Sequence, residues 1–136
     1  MSSLTPILHS GVVNGKPLRF VPSPLTGPDF PWHVADDLFA ALAFPRAVRR
    51  EFSRKLKAEH AKDVKTVATA AGIVTIAPHF MAQGAIGAAV DIGCAPRSVE
   101  GEYGREGVKA LNKFLDPRGI KDMDAVAYAI DAARRA

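Results

Sequence analysis

Two kinds of hydrophobic spacing alternate along the chain and divide it into elements. Val12-Val13 and Leu18-Arg19-Phe20-Val21 are short apolar runs on either side of Asn14-Gly15-Lys16. Asn-Gly between apolar runs is a strong hairpin signal, because both residues tolerate the positive φ of a tight turn. A β-hairpin is expected here. The next segment, PSPLTGPDFP, holds four prolines in ten residues and cannot be helical. It reads as a rigid connector, with a proline-motif docking site as the alternative.

From Trp32 the period lengthens. Val34, Leu38, Ala41 and Leu42 recur at helical spacing with Phe39 beside them, and Asp36-Asp37 fall in the first turn, where negative charge suits the helix dipole. A helix is predicted from Trp32 up to Pro45, which cannot continue it but can open the next. In that second helix Val48, Phe52 and Leu56 fall at i, i+4, i+8 and predict a buried stripe. Arg46, Arg50, Arg54 and Lys57 make the neighbouring stripe, which should face solvent or a ligand. The polar stretch Ala58 to Asp63 ends the helix.

VKTVATAAGIVTIAP then predicts two strands, Val64 to Thr69 and Ile73 to Ala77, around an Ala-Ala-Gly turn; branched side chains suit a pleated surface. This second hairpin could pair with the first. Pro78 opens another helical stretch with Phe80, Met81, Ile86 and Val90 apolar, in which Gly84 and Gly87 are expected to permit close packing. Ser98 is the expected cap of a helix from Val99 to Leu115, with Tyr103, Val108, Leu111 and Leu115 on one face and Phe114 adjacent. The last helix, Met123 to Arg134, carries Val126, Ile130 and Ala133, with Asp122 and Asp124 at its start and Arg134-Arg135 at its end. The expected fold is α+β: a small antiparallel sheet from two β-hairpins packed with about five helices. Residues 1–136 form a single domain, with 1–31 a hairpin plus Pro-rich loop and 32–136 helical with a second hairpin at 64–77. No internal repeat or low-complexity run divides it.

Composition narrows the setting. A chain of 136 residues can bury roughly two thirds of its unfolded surface, so an ordinary apolar core suffices. With 48% apolar and 24% charged residues the profile is that of a soluble globular domain. Cys94 is the one cysteine, so no disulfide forms within the chain, which favours a reducing, cytoplasmic setting. MSSLTPILHSG has neither a basic n-region nor a long apolar stretch, so no secretory signal is expected, and no run is long enough for a membrane span.

Charge changes the picture more. Between Pro45 and Lys65 eight basic residues face three acidic ones (Glu51, Glu59, Asp63), a local +5 out of a net +4. The rest of the chain therefore sums to −1, and the positive excess belongs to one segment. Arg46, Arg49, Arg50, Arg54, Lys55 and Lys57 are the candidate nucleic-acid-binding residues, since arginine's planar fork suits phosphate. A solvated face balancing the three acids is the plainer alternative. Two helices with the second basic also suggest a helix-turn-helix, although the Phe44-Pro45 junction is tighter than that motif's usual turn.

No catalytic or metal constellation stands beside this. His9, His33, His60 and His79 include no i, i+4 pair, and Cys94 lies at no finger spacing from them. Asp36-Asp37 point in different directions on a helix and make no acid/base dyad. Arg97 could lower the Cys94 pKa slightly, but no histidine motif supports a catalytic thiol. Gly84-x-x-Gly87 lacks the lysine and the strand-to-glycine order of a phosphate loop. No cofactor and no enzymatic activity are expected; a small enzyme assembled from the scattered histidines is the weakest alternative.

One stretch carries a family likeness. Phe30-Pro31-Trp32-His33-Val34-Ala35-Asp36-Asp37-Leu38, Ala41-Leu42-Ala43-Phe44 and Pro45-Arg46-Ala47-Val48-Arg49-Arg50 resemble the N-terminal domain of BRO-type and phage antirepressor-like proteins. That family pairs an Asn-Gly or Asp-Gly hairpin with a pattern like P-W-F-V-A-x-D-V-x-x-A-L-G-Y. Asn14-Gly15 matches the turn, and Trp32, Val34, Ala35, Asp37, Ala41 and Leu42 match the signature. His33 stands where phenylalanine is usual, Ala43 where glycine is usual, and the segment after Ile76 lacks the family's I-N-E-x-G-L-Y run. The likeness covers about residues 10–77. It implies an α+β protein of phage or mobile-element type that binds nucleic acid or a regulatory protein, and no enzymatic role.

The expected function is therefore regulation through DNA or another acidic partner held by the basic helix 46–57. The rival is a protein-interaction module that antagonises a repressor or host defence protein. There the same arginines would act, with hot spots near Trp32 and Phe30 or on the C-terminal helix pair. A homodimer is compatible with either.

Overall fold

The computed structural model describes residues 3–135. Its elements follow in the order β1 (His9–Val13), β2 (Lys16–Val21), β3 (Trp32–Val34), α1 (Ala35–Ala41), α2 (Arg46–Glu59), β4 (Lys65–Thr69), β5 (Gly72–Ala77), α3 (His79–Asp91), α4 (Ser98–Leu115) and α5 (Met123–Arg135). The sheet is antiparallel throughout, with strand order β1-β2-β3-β5-β4. This is the α+β single domain that the sequence led us to expect.

The first hairpin forms where Asn-Gly places it. Asn14 and Gly15 have φ of 51° and 75°, the pair of positive values that matches the twist of the flanking strands. The Asn14 side-chain amide also donates to the Ala41 carbonyl at 2.8 Å, and its backbone N–H donates to Glu102 at 3.2 Å. The turn is thereby tied to both α1 and α4.

The two hairpins do not pair directly. Trp32–Val34, expected as the start of a helix, is a strand between them, with Phe20 opposite His33 and His33 opposite Ala77. Val34 belongs to both patterns. It continues the helical stripe of Leu38 and Ala41, but it also alternates with His33, and sheet pairing on both sides decides the outcome. Alternation puts Phe20, His33 and Ala77 on one face and Val21, Trp32, Val34 and Ile76 on the other. The first face meets α4 through Tyr103, whose ring lies 5.6 Å from Phe20. α4 crosses β1 closely. A side chain at Gly11 would collide with Glu106, whose carboxylate accepts a hydrogen bond from His9 Nε2 at 3.0 Å.

Several helical faces differ from those expected. Ser98 lies inside α4 rather than capping it, with Arg97 at the cap position and no side-chain cap bond. Val108 is exposed, while Val99, Tyr103, Ala110, Leu111 and Leu115 are buried. In α3 the inner face is Ala82, Ala85, Ile86 and Ala89, and Phe80 turns outward. Gly84 and Gly87 permit no close contact; a Cβ at either would meet open space. α5 buries Ala132 and leaves Met123, Val126 and Ile130 exposed. It is anchored by Tyr128, whose hydroxyl donates to the Asp29 carbonyl at 3.0 Å and accepts from the Asp29 N–H at 3.2 Å. Among the described residues no helix is long and apolar enough to cross a membrane.

Candidate nucleic-acid interface

α1 is short and firmly set. Asp36 and Asp37 do lie in its first turn, but Asp37 has a more specific partner than the helix dipole. Arg19 on β2 grips it from Nε at 2.8 Å and Nη2 at 3.0 Å, and the Arg19 backbone N–H adds a third bond at 3.0 Å. A bidentate arginine–carboxylate pair fixes orientation as well as distance. These bonds raise the Arg19 pKa, so its guanidinium stays charged. It fastens α1 to the sheet.

The junction to α2 follows. α1 stops at Ala41, earlier than expected, so Leu42 to Pro45 connect the helices rather than only the last three of these. Ala43 takes the left-handed conformation at φ 56°, and Pro45, with ψ 148°, caps α2. Phe44 is buried in this link and stacks on Phe52 with ring centroids 4.7 Å apart. Phe39 completes a three-ring anchor at 6.1 Å from Phe44 and 6.0 Å from Phe52.

α2 is held to the core along one stripe. Val48, Phe52 and Leu56 pack on the core but are half-buried rather than buried, and no residue of α2 is buried. At 3.6 residues per turn, Arg46, Arg50, Arg54 and Lys57 fall opposite Phe52, while Arg49 and Lys55 flank the apolar stripe on its two sides. The outer four span about 16 Å of helix, from a rise of about 1.5 Å per residue.

Their freedom differs. Arg46, Arg50, Arg54, Lys55 and Lys57 are exposed, and Arg49 is half-buried. Arg54 donates from Nε to Glu51 at 3.1 Å and from Nη2 to the other carboxylate oxygen, which holds Glu51 below the usual carboxylate range and raises Arg54. An exposed i, i+3 pair of this kind is weak and exchanges readily. Arg49 reaches back to the Asp36 carbonyl at 3.4 Å. The remaining four form no ion pair among the described residues. The first turn of α2 contains no acidic residue, so the positive end of its dipole adds to the field of Arg46, Arg49 and Arg50.

Tertiary structure also assembles a group that no spacing announces. His33, 2% exposed, lies with its Nδ1 3.5 Å from the Tyr103 hydroxyl, and the His79 ring is 5.6 Å from the Tyr103 ring. Burial pushes His33 down to about 3, with His79 adding to the effect; burial likewise lowers His79 and raises Tyr103. All three are neutral at neutral pH. Among the described residues no group of three His, Cys, Asp or Glu side chains could hold a metal ion. Cys94 is half-buried, with Sγ 3.5 Å from the Ala89 carbonyl.

No family model, curated protein or solved structure matches this chain.

Proposed function

We propose that this chain is a regulatory protein of phage or mobile-element type that binds nucleic acid through the outer face of α2, acting in the cytoplasm and without enzymatic activity. The observation that carries the reading is a projecting helix with six basic side chains, only one of them ion-paired and none needed for the core. A helix of this width fits the major groove of duplex DNA, and four charges in line with its axis can follow a phosphate backbone. The likeness of residues 10–77 to antirepressor N-terminal domains points the same way. Protein purified at low salt should carry nucleic acid, seen as a raised ratio of absorbance at nucleic-acid and protein wavelengths that a high-salt wash abolishes. A clean ratio together with no binding to added duplex at low salt would remove this reading.

A second reading has its own support. Met123, Val126 and Ile130 form an exposed apolar stripe on α5, the type of surface a protein-interaction module uses against a repressor or defence protein. Trp32 is 4% exposed and cannot serve as the hot spot once expected. A protein partner retained after nuclease treatment, and lost on Val126→Lys, would favour this reading.

A further inference from the structure

Between the underside of α2 and the N-terminal half of α3 lies a groove of about 390 Å³, within the roughly 300–1,000 Å³ of small-molecule sites. Phe39, Phe52, Leu56, Met81 and Ala85 belong to its apolar lining, and Lys55, Glu59 and His60 line it too. One wall residue is unlike the others. His33 is 98% buried yet lines the groove, and among the described residues its one side-chain hydrogen bond is the 3.5 Å contact of Nδ1 with the Tyr103 hydroxyl. Among the described residues Nε2 has no protein partner. Among the described residues no fully buried side-chain nitrogen or oxygen is left unpaired, so Nε2 keeps some exposure, and His33 lines this groove.

We propose that this groove is a binding site for a small, uncharged aromatic molecule bearing one hydroxyl, with the ring against Phe52 and Ala85 and the hydroxyl bonded to His33 Nε2. Aromatic walls favour a flat ring through stacked and edge contacts. The mostly apolar lining favours an uncharged ligand, since an ion would lose hydration there and the opposite charges of Lys55 and Glu59 leave no net counter-charge. A neutral imidazole presents either an N–H or a lone pair at Nε2, and a hydroxyl, both donor and acceptor, satisfies either tautomer. Nothing in this site depends on whether α2 binds nucleic acid.

Isotope-labelled full-length protein titrated with naphthol, and separately with naphthalene, tests it by amide chemical shifts. Naphthol should saturate shifts at Phe52, Leu56 and Ala85 and bind about five-fold tighter than naphthalene, the ratio expected for one net hydrogen bond. Gly84→Leu is the blocking variant. Gly84 lines the groove, a Cβ there meets nothing within 4 Å, and leucine favours helix over glycine, so the fold is kept. It should weaken naphthol by about ten-fold or more, the loss expected when the ring's burial is denied. His33→Phe, if folded, should erase the preference for naphthol. Absence of saturable shifts, equal affinity for the two probes, or undiminished binding by Gly84→Leu would overturn the assignment.

Discussion

Replacing Arg46 and Arg50 with alanine removes two charges from the N-terminal half of the proposed interface while leaving the anchor of Phe39, Phe44 and Phe52 untouched. Both side chains are exposed and alanine is a good helix former, so stability should hold. The outer face offers four cations, Arg46, Arg50, Arg54 and Lys57. Four phosphate contacts correspond to a slope of log K against log salt of about −3.6, so affinity should fall roughly 150-fold between about 50 and 200 mM salt. The double variant keeps two of the four, with a slope of about −1.8 and a fall of roughly 12-fold over the same range. Filter binding or fluorescence anisotropy on a labelled duplex across a salt series reads both slopes. Arg105→Ala with Lys109→Ala, on the exposed side of α4, is the control and should leave the slope unchanged. An unchanged slope in the Arg46/Arg50 variant, or an equal drop in the control, would refute the assignment to α2. A wild-type slope near −5.4, by the same scaling, would instead bring Arg49 and Lys55 into contact as well.

Three further predictions concern the scaffold. Ala43 sits at φ 56°, where a Cβ costs about 1–2 kcal/mol, and glycine's extra unfolded entropy returns part of that, so Ala43→Gly should stabilise by about 0.5–1 kcal/mol in thermal unfolding; a loss would show that the conformation is not strained. His33 is held neutral with a pKa of about 3 against an ordinary 6.5, so the unfolded chain binds the extra proton between those values and stability falls as the pH drops below 6.5. The loss from His33 should reach about 2 kcal/mol by pH 5, and urea titrations of His33→Gln should show that much less pH dependence or the burial is misassigned. On α5, Val126→Lys should change urea stability by less than about 0.5 kcal/mol, whereas Ala132→Lys should cost more than about 2 kcal/mol, and the reverse order would put the helix in the wrong phase.

Local chain geometry accounts for the elements that a short window of residues can specify. The Asn14-Gly15 turn needs only residues that tolerate positive φ, and Pro45 opens α2 through its own ring. The two stripes of α2 follow from 3.6 residues per turn, which is why Arg46, Arg50, Arg54 and Lys57 were legible as an outward face before any fold was known. Tertiary structure decided the rest. Trp32–Val34 is too short for either period to claim, and it becomes a strand because Phe20-Val21 and Ile76-Ala77 offer pairing on both edges. α5 could turn either Val126 and Ile130 or its alanines inward. The bonds of Tyr128 to Asp29, 99 positions away, choose the alanines. The clasp of Arg19 on Asp37 and the meeting of His33 with Tyr103, 70 positions apart, have the same origin. Their energy lies in contacts between distant segments, and no window of neighbouring residues contains both partners.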